Sequence, residues 1–332
     1  MTTPPSPGKA TPQARGTPLV AIVGATGTGK TSLSLVLAQT LAKAGYGVEI
    51  VNADAMQIYR GMDIGTAKLP ESQREGIPHH LIDVCDVTEE ASVSWYQTEA
   101  RACIRDIVDR GNVPVLVGGS GLYISAVLFD FDFPVRNDEV RARLESEARD
   151  LGSAAMFERL RAVAPETASR IDARNERRVI RALEVVELGA NVSDLGRLAP
   201  QSPPPAQAWL GHETLLCHVE REELVGLLDK RVDDMWANGF LDEVGNLIPR
   251  GIERGVTAGR AIGYAQALAQ LRGESTEAEA VALTKNLTRR YARRQVSWFK
   301  RYETVHLVSG GSGSADAAVR SVLDRVSATR AP

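Results

Sequence analysis

The stretch Gly24-Ala25-Thr26-Gly27-Thr28-Gly29-Lys30-Thr31 decides the fold. Its spacing, G-x-x-x-x-G-K-[ST], is that of a loop that cradles phosphate. An apolar run, Leu19-Val20-Ala21-Ile22-Val23, precedes it, and Leu33, Val36, Leu37 and Leu41 follow at helical spacing on one side. Strand, loop and helix in that order are the setting such a loop requires. Glycines let the backbone curl around an anion without Cβ clashes. The amides at the helix start then point at phosphate, and the helix dipole favours its charge. Lys30 adds a mobile positive charge, and the Thr31 hydroxyl is able to ligate Mg²⁺. The loop therefore calls for a diphosphate, or the phosphates of a nucleotide. It leaves open whether phosphate is the group transferred or the group that leaves.

Outward from the loop, the pattern is α/β. Val48-Glu49-Ile50-Val51 reads as a second strand and runs into Asn52-Ala53-Asp54. Val113-Pro114-Val115-Leu116-Val117 is nearly all apolar, as a strand buried on both faces is, and leads into Gly118-Gly119-Ser120. Ligands of open α/β sheets sit beyond the carboxyl ends of strands. Asp54 is then either a carboxylate beside the phosphate loop or an Asx-turn or cap residue. Ser120 is either a ligand hydroxyl or part of a plain strand-to-helix turn. The polar segment from Gln57 to Lys68 suits a loop over a site. Pro78 to Val84 looks like another strand entry, and its paired histidines lack metal partners at ligand spacing. Ser92 to Arg110 reads as a helix with Trp95, Ala102, Ile104 and Val108 inward.

The 332 residues carry a net charge of −3, which excludes a globally basic nucleic-acid binder. Any such contact must come from local patches. With 43% hydrophobic residues the chain can bury a sizeable core. Cys85, Cys103 and Cys217 form no C-x-x-C pair and suggest neither a zinc site nor a disulfide framework, which fits a reducing cytoplasm. No apolar run is long enough for a membrane span. The first 18 residues, rich in Pro, Thr and Ser, read as a disordered tail.

From 136 to 212 the texture turns mostly helical and charge-balanced, and this segment reads as an inserted domain with a Pro-rich linker from Ala199 to Gln207. Arg174, Arg178 and Arg181 fall at i, i+4, i+7, one helix face, either solvated or phosphate-binding. Leu215 to Val219 returns to strand. Arg221 to Asn238 is helical, with Leu224, Leu227, Leu228, Val232 and Met235 inward. Thr276 and Glu279 form a capping box that opens a long helix. Lys285 to Arg301 in its later part holds seven basic residues and no acid, interleaved with Tyr291, Trp298 and Phe299. This is the best basic patch of the chain. Val305 to Val308 closes the sheet, and 310–332 reads as a flexible tail with a loosely tied helix.

The phosphate loop agrees with several separated motifs: Asp54 to Lys68, Pro78-His79-His80-Leu81-Ile82-Asp83, Val117 to Tyr123, Arg181-Ala182-Leu183-Glu184, Ala261-Ile262-Gly263-Tyr264 and Tyr291-Ala292-Arg293-Arg294-Gln295. Together they closely resemble the bacterial tRNA dimethylallyltransferases (isopentenyl-tRNA transferases) over about residues 19 to 308, and the segment from Asp54 to Lys68 is the specific part. The resemblance implies a P-loop kinase-like parallel sheet flanked by helices, with a mostly helical insertion that clamps tRNA. It implies a catalytic core of 19–135 and 213–309.

The implied activity is transfer of a dimethylallyl group from its diphosphate to N6 of adenosine 37, just 3′ of the anticodon, in a cytoplasmic monomer with Mg²⁺ as cofactor. Asp54 matches the family's catalytic aspartate, Thr31 the hydroxyl near metal and diphosphate, and Arg231 a contact on the diphosphate side. Gly24, Ala25, Thr26, Gly27, Thr28, Gly29, Lys30 and Thr31 match its diphosphate- or nucleotide-binding loop. Contacts to the anticodon stem-loop are implied for Asp54, Ala55, Met56, Gln57, Ser120, Arg141, Arg177, Arg178, Val179, Ile180, Arg181, Arg260, Ala261, Ile262, Gly263, Tyr264 and Ala265. Many relatives have glutamine where Arg260 stands and a basic residue where Ala265 stands. The competing readings are an isopentenyltransferase acting on free adenine nucleotides, a small-molecule kinase, and a nucleotide-gated binding protein.

Overall fold

The computed structural model describes residues 18–131, 133, 136–189, 207–302, 306–309 and 312–329. The expected N-terminal tail, most of the Pro-rich linker, and Gly310 and Gly311 lie outside them. Contacts divide the chain into two compact units, Asp130–Ala206 and the remainder.

The larger unit is a six-stranded, wholly parallel sheet in the order β3-β2-β4-β1-β5-β6. Its strands are β1 (Leu19–Gly24), β2 (Val48–Asn52), β3 (His79–His80), β4 (Val113–Gly118), β5 (His212–His218) and β6 (His306–Ser309). Central β1 pairs Val20 with Val115 of β4 and Leu19 with His212 of β5. Successive side chains on a strand point to opposite faces, and β1 is apolar on both. Val20 and Ile22 pack with Leu33, Leu37 and Leu41 of α1 (Lys30–Lys43). Leu19, Ala21 and Val23 face α2 (Val93–Asp109) and α3 (Gly121–Leu128). Helices on both faces of a parallel sheet are what apolar runs of this kind demand.

The other helices of this unit are α8 (Arg221–Ala237), α9 (Phe240–Leu247), α10 (Tyr264–Leu271), α11 (Glu277–Phe299) and α12 (Ser312–Thr329). Phe240, Val244 and Tyr264 form a satellite core with Ile58, Tyr59 and Met62, under the polar loop that follows β2. The smaller unit packs α4 (Asp138–Leu151), α5 (Ser153–Val163), α6 (Pro165–Ala168) and α7 (Glu176–Glu187) around Leu144, Leu160, Val179 and Leu183.

Several expectations are corrected. Residues 207–212, expected in the insertion, fall with the sheet unit, because β5 begins at His212 and the amide of Leu19 donates to Gly211 O at 3.3 Å. Within 310–332, expected to be a loosely tied tail, α12 is docked. Its Ala318, Val319, Val322 and Val326 are buried in the α1 face of the core, and small β-branched residues suffice there because the face is already lined by leucines. Single positions differ on the faces of α1, α2 and α8, while Leu33, Leu37, Leu41, Ile104, Leu224, Leu228, Val232 and Met235 are buried as expected. Tyr96, Ala100 and Ile107 join Ile104 as the buried positions of α2; Trp95 packs partly buried against the core as expected, whereas Ala102 is exposed and Val108 only half-buried. Val36 and Leu227 point to solvent, at 44% exposed each.

Val322→Ala should lower stability by roughly 1–3 kcal/mol, the scale of a methyl-removing cavity at a buried site. Chemical denaturation checks this. An unmoved midpoint would mean that α12 is not docked in solution.

Candidate active site

The phosphate loop leaves β1 at Gly24, whose φ is +149° and whose missing Cβ would stand 2.5 Å from Cys217 O on β5. Only glycine fits that approach. Lys30 opens α1 and folds back, its Nζ donating to Ala25 O at 2.7 Å. The Thr28 hydroxyl donates to the same carbonyl at 2.8 Å. Thr26 is held from two sides: its amide donates to Gln295 Oε1 at 2.9 Å, and its hydroxyl accepts from Arg231 of α8 at 2.7 Å. Thr31 stands exposed on the first turn of α1.

Asp54 lies two residues past β2, on the same sheet edge. It is fixed by three consecutive amides. Its own amide donates to Asn52 Oδ1 at 3.0 Å, that of Ala55 to Ser120 Oγ at 3.0 Å, and that of Met56 to Asp54 Oδ1 at 2.9 Å. The Asx-turn therefore exists, and it aims the carboxylate instead of competing with a role at the site. Ser120 stands at the exit of β4, where its hydroxyl accepts from the Asp54 turn. Gly118 of β4 allows the approach: a Cβ there would sit 2.3 Å from Ala53 O.

Lys30, Thr31, Asp54, Gln57, Thr66 and Arg231 line one cavity of about 240 Å³. Burial pushes the Lys30 ammonium down to about 8, while the Asp54 carboxylate opposes the shift. Arg231 is lowered by the same desolvation, again opposed by Asp54. Two desolvated cations facing one carboxylate make a site that gains from a polyanion. Gln57 Nε2 donates to Thr66 O at 3.1 Å, which joins the two sides of the overlying loop.

A family model described as IPP transferase matches residues 57–302. The chain belongs to the IPP transferase family. It is 56% identical over 286 residues to the tRNA dimethylallyltransferase of Clavibacter sepedonicus, covering 86% of this chain and 91% of that one. Identity to that of Leifsonia xyli subsp. xyli is 58% over 252 residues, covering 76% and 94%. The solved structure of a full-length tRNA isopentenylpyrophosphate transferase from Bacillus halodurans is similar at 34% identity and a TM-score of 0.64, covering 94% of this chain and 97% of that one. A eukaryotic dimethylallyltransferase acting on tRNA is similar at 27% identity and a TM-score of 0.77, covering 94% and 80%.

The segments expected to touch RNA differ in what they expose. In Arg260–Ala265, Arg260 is exposed, whereas Ala261 and Tyr264 are buried. Ile262 and Ala265 are half-buried. Gly263 takes φ +91° to turn the chain into α10. In the smaller unit, Arg177 and Arg178 are exposed, while Val179 and Ile180 are core side chains at 0% and 3% exposed. Arg181 and Arg141 share the buried Glu184, at 2.9 and 3.7 Å. Arg174 precedes the N-cap Asn175 and clasps Asp172 at 2.9 Å, so it does not extend the α7 face as its spacing suggested. Along α11, Lys285 pairs with Asp233 and Arg289 with Asp229 of α8, while Arg290, Arg293 and Arg294 are its exposed guanidinium groups, Arg294 lying over the Tyr291 ring; just beyond the helix Arg301 lies over the Trp298 ring.

Among the described residues no group of three or more His, Cys, Asp or Glu could hold a metal ion. His79 pairs with Ile77 O at 2.7 Å and His80 with Glu49 at 2.6 Å, both structural. All three cysteines are free.

Four residues that organise the site were given no role from the sequence, although Lys68, Tyr291 and Gln295 lie inside the motifs quoted above. Gln295 braces the phosphate loop, and Tyr291, one turn earlier, reaches Ser120 and Gln295. Glu243 accepts the amides of Asp63 and Ile64 at 3.0 and 2.6 Å and the Tyr264 hydroxyl at 2.6 Å. Lys68 is buried between Asp63 and Asp83, at 2.6 Å from each. Most of their partners lie on other elements.

An anion bound at Lys30 raises the pKa of a lysine that sits at about 8 when the site is empty. Binding of inorganic diphosphate near pH 8 should therefore take up protons, and the uptake should fade toward pH 6, where Lys30 is already charged. Calorimetry in buffers of different ionisation enthalpy measures this. Uptake equal in wild type and Lys30→Met would remove Lys30 from the anion site.

Proposed function

We propose that the protein transfers the dimethylallyl group of dimethylallyl diphosphate to N6 of adenosine 37 in the anticodon stem-loop of tRNA. The products are N6-isopentenyladenosine and diphosphate. The observation that supports this best is the single cavity lined by Asp54, Lys30 and Arg231. Its cations suit a leaving diphosphate and its carboxylate suits an incoming amine. The exocyclic amine of adenine is a poor nucleophile because its lone pair is delocalised into the ring. It must lose a proton as the C–N bond forms. Asp54, aimed by its turn, orients the amine and accepts that proton. Lys30, Arg231 and the loop amides stabilise the charge that grows on diphosphate as the C–O bond breaks. Diphosphate is the leaving group, so a kinase-like loop serves a reaction in which no phosphate is transferred.

Mg²⁺ fits the donor set. With the Thr31 hydroxyl on the cavity and no protein cage among the described residues, the remaining oxygens would come from diphosphate and water, which is how Mg²⁺ is commonly held. It would supply further charge neutralisation of the diphosphate.

The target base must leave its stack to enter an enclosed site. The RNA is held mainly through phosphates, by local guanidinium groups on a protein of negative net charge. We assign this to Arg290, Arg293 and Arg294 on α11, to Arg260, and to the helical unit with Arg177 and Arg178. We place the reaction in the cytoplasm, with the protein acting as a monomer. Among the described residues no helix is long and apolar enough to cross a membrane. Transfer to free adenine nucleotides is the alternative, and it leaves the exposed arginines without a ligand. Unmodified tRNA and, separately, AMP are incubated with the donor and Mg²⁺, and the products are weighed. A gain of one C5 unit on AMP and none on tRNA would reverse the assignment.

Asp54→Asn keeps a hydrogen-bond acceptor but cannot take up the proton. It should fold and bind RNA like wild type, and its single-turnover rate at saturating RNA should fall by about 10²–10⁴. A rate within about threefold of wild type would reduce Asp54 to a turn residue.

Arg293→Ala and Arg294→Ala should each lower the slope of log K for RNA against log salt by roughly 1, the mark of one lost phosphate contact. Unchanged slopes in both variants would return this helix face to solvent.

A further inference from the structure

The geometry points to Gln295 as a positioning residue that locks the phosphate loop to the Ser120–Asp54 side of the cavity, so that the donor diphosphate and the proton-accepting carboxylate are held in register. This rests on the proposed transfer reaction. Gln295 projects inward from α11 and is 4% exposed, between a loop at one end of the chain and a strand exit near its middle. Its Oε1 accepts the amide of Thr26 at 2.9 Å, and its Nε2 donates to Gly119 O at 2.8 Å. Those two bonds join the loop of β1 to the exit of β4. Ser120, the next residue, accepts the Ala55 amide of the Asp54 turn. The Tyr291 hydroxyl, one helical turn back, lies beside both Ser120 and Gln295.

The fit is close. A Cβ on Gly119 would stand 2.4 Å from Gln295 Nε2 and 3.0 Å from Gly24 O. Burial, reinforced by the nearby Asp54 charge, pushes the Tyr291 phenol up to about 12, so it remains protonated at neutral pH. The Thr26 amide belongs to a loop whose amides face an anion, yet it is committed to Gln295. The Thr26 hydroxyl is in turn committed to Arg231. Thr26 is thus a fixed corner of the loop, held by Arg231 from the donor side and by Gln295 from the acceptor side. Both ends of the Gln295 amide are engaged by backbone, so its action on the reaction passes through the groups it holds. A misplacement of about 1 Å between reacting groups can cost a hundredfold in rate.

The test compares wild type with Gln295→Met, which removes both bonds at similar volume, and Gln295→Glu, which keeps an acceptor for Thr26 and loses the donor to Gly119. Single-turnover transfer to an anticodon stem-loop RNA is measured with both substrates saturating. Affinities for inorganic diphosphate and for the RNA, and the melting temperature, are measured alongside. The expected result is a saturating rate lower by about tenfold to a hundredfold in both variants, with each affinity within threefold of wild type. Gln295→Glu, isosteric with glutamine, keeps the comparison available if Gln295→Met does not fold. A saturating rate within threefold of wild type in a folded variant overturns the proposal, and leaves Gln295 as helix packing. A loss confined to RNA affinity also overturns it, and makes Gln295 part of the RNA surface. A wild type that transfers nothing to the RNA rejects the transfer reaction itself, and is told apart because it precedes any variant.

Discussion

Two cations are taken out of water at the carboxyl edge of the sheet, and the rest of the site is arranged around that fact. Lys30 and Arg231 both lose protonation free energy to desolvation, and Asp54 returns only part of it. Charged groups with reduced hydration and incomplete pairing are costly unless a ligand completes them. The frame must therefore be stiff enough to keep the cations together without an anion. The parallel sheet provides the stiffness. β1 is paired on both sides, and β4 stands between β1 and β2, so the phosphate loop, Ser120 and Asp54 leave neighbouring strands at one edge.

Proximity alone does not fix the orientation of a carboxylate. The Asp54 turn is specified by amides bonding to Asn52, Ser120 and Asp54 itself, and by the missing side chain of Gly118. A carboxylate held this way has little rotameric freedom left to lose when a substrate arrives. A second carboxylate, Glu243, works on the overlying loop. By gathering the amides of Asp63 and Ile64 with the Tyr264 hydroxyl, it binds that loop to α9 and α10. Asp54 faces the cavity and Glu243 faces protein amides, two different settings for the same functional group.

Much of this was legible in the sequence wherever the cause is local. The phosphate loop is one contiguous stretch whose conformation its own glycines permit. The apolar runs of β1, β2 and β4 announce strands buried on both faces. The capping box of Thr276 and Glu279 forms as its spacing dictates. Reading stopped where the determinant is a distant partner. The bond from Thr26 to Gln295 spans 269 residues, and the motif from Tyr291 to Gln295 does not itself say which distant element its glutamine reaches. Arg174 looked helical by spacing, but Asn175 caps the helix after it. Val36 and Leu227 fit an apolar stripe yet face solvent, since periodicity fixes a face only to within a neighbouring position. The α12 segment read as loosely tied because it is terminal, yet its small side chains are what a face already filled by Leu33, Leu37 and Leu41 has room for.

The register of β1 and β5 bears on how the chain is made. Leu19 is among the earliest residues of the sheet to be synthesised, and its partner His212 follows the whole helical unit. At about 5–20 residues per second, synthesis of the intervening chain takes roughly ten to forty seconds. Throughout that interval one side of β1 presents unpaired amides and carbonyls, a template for wrong strand partners. The phosphate loop is unfinished for the same time, because Gly24 is packed against Cys217 O, which does not yet exist. A ribosome-bound chain therefore has most of the binding motif in hand well before it has a binding site, and chaperone demand should peak in that window and end when β5 emerges.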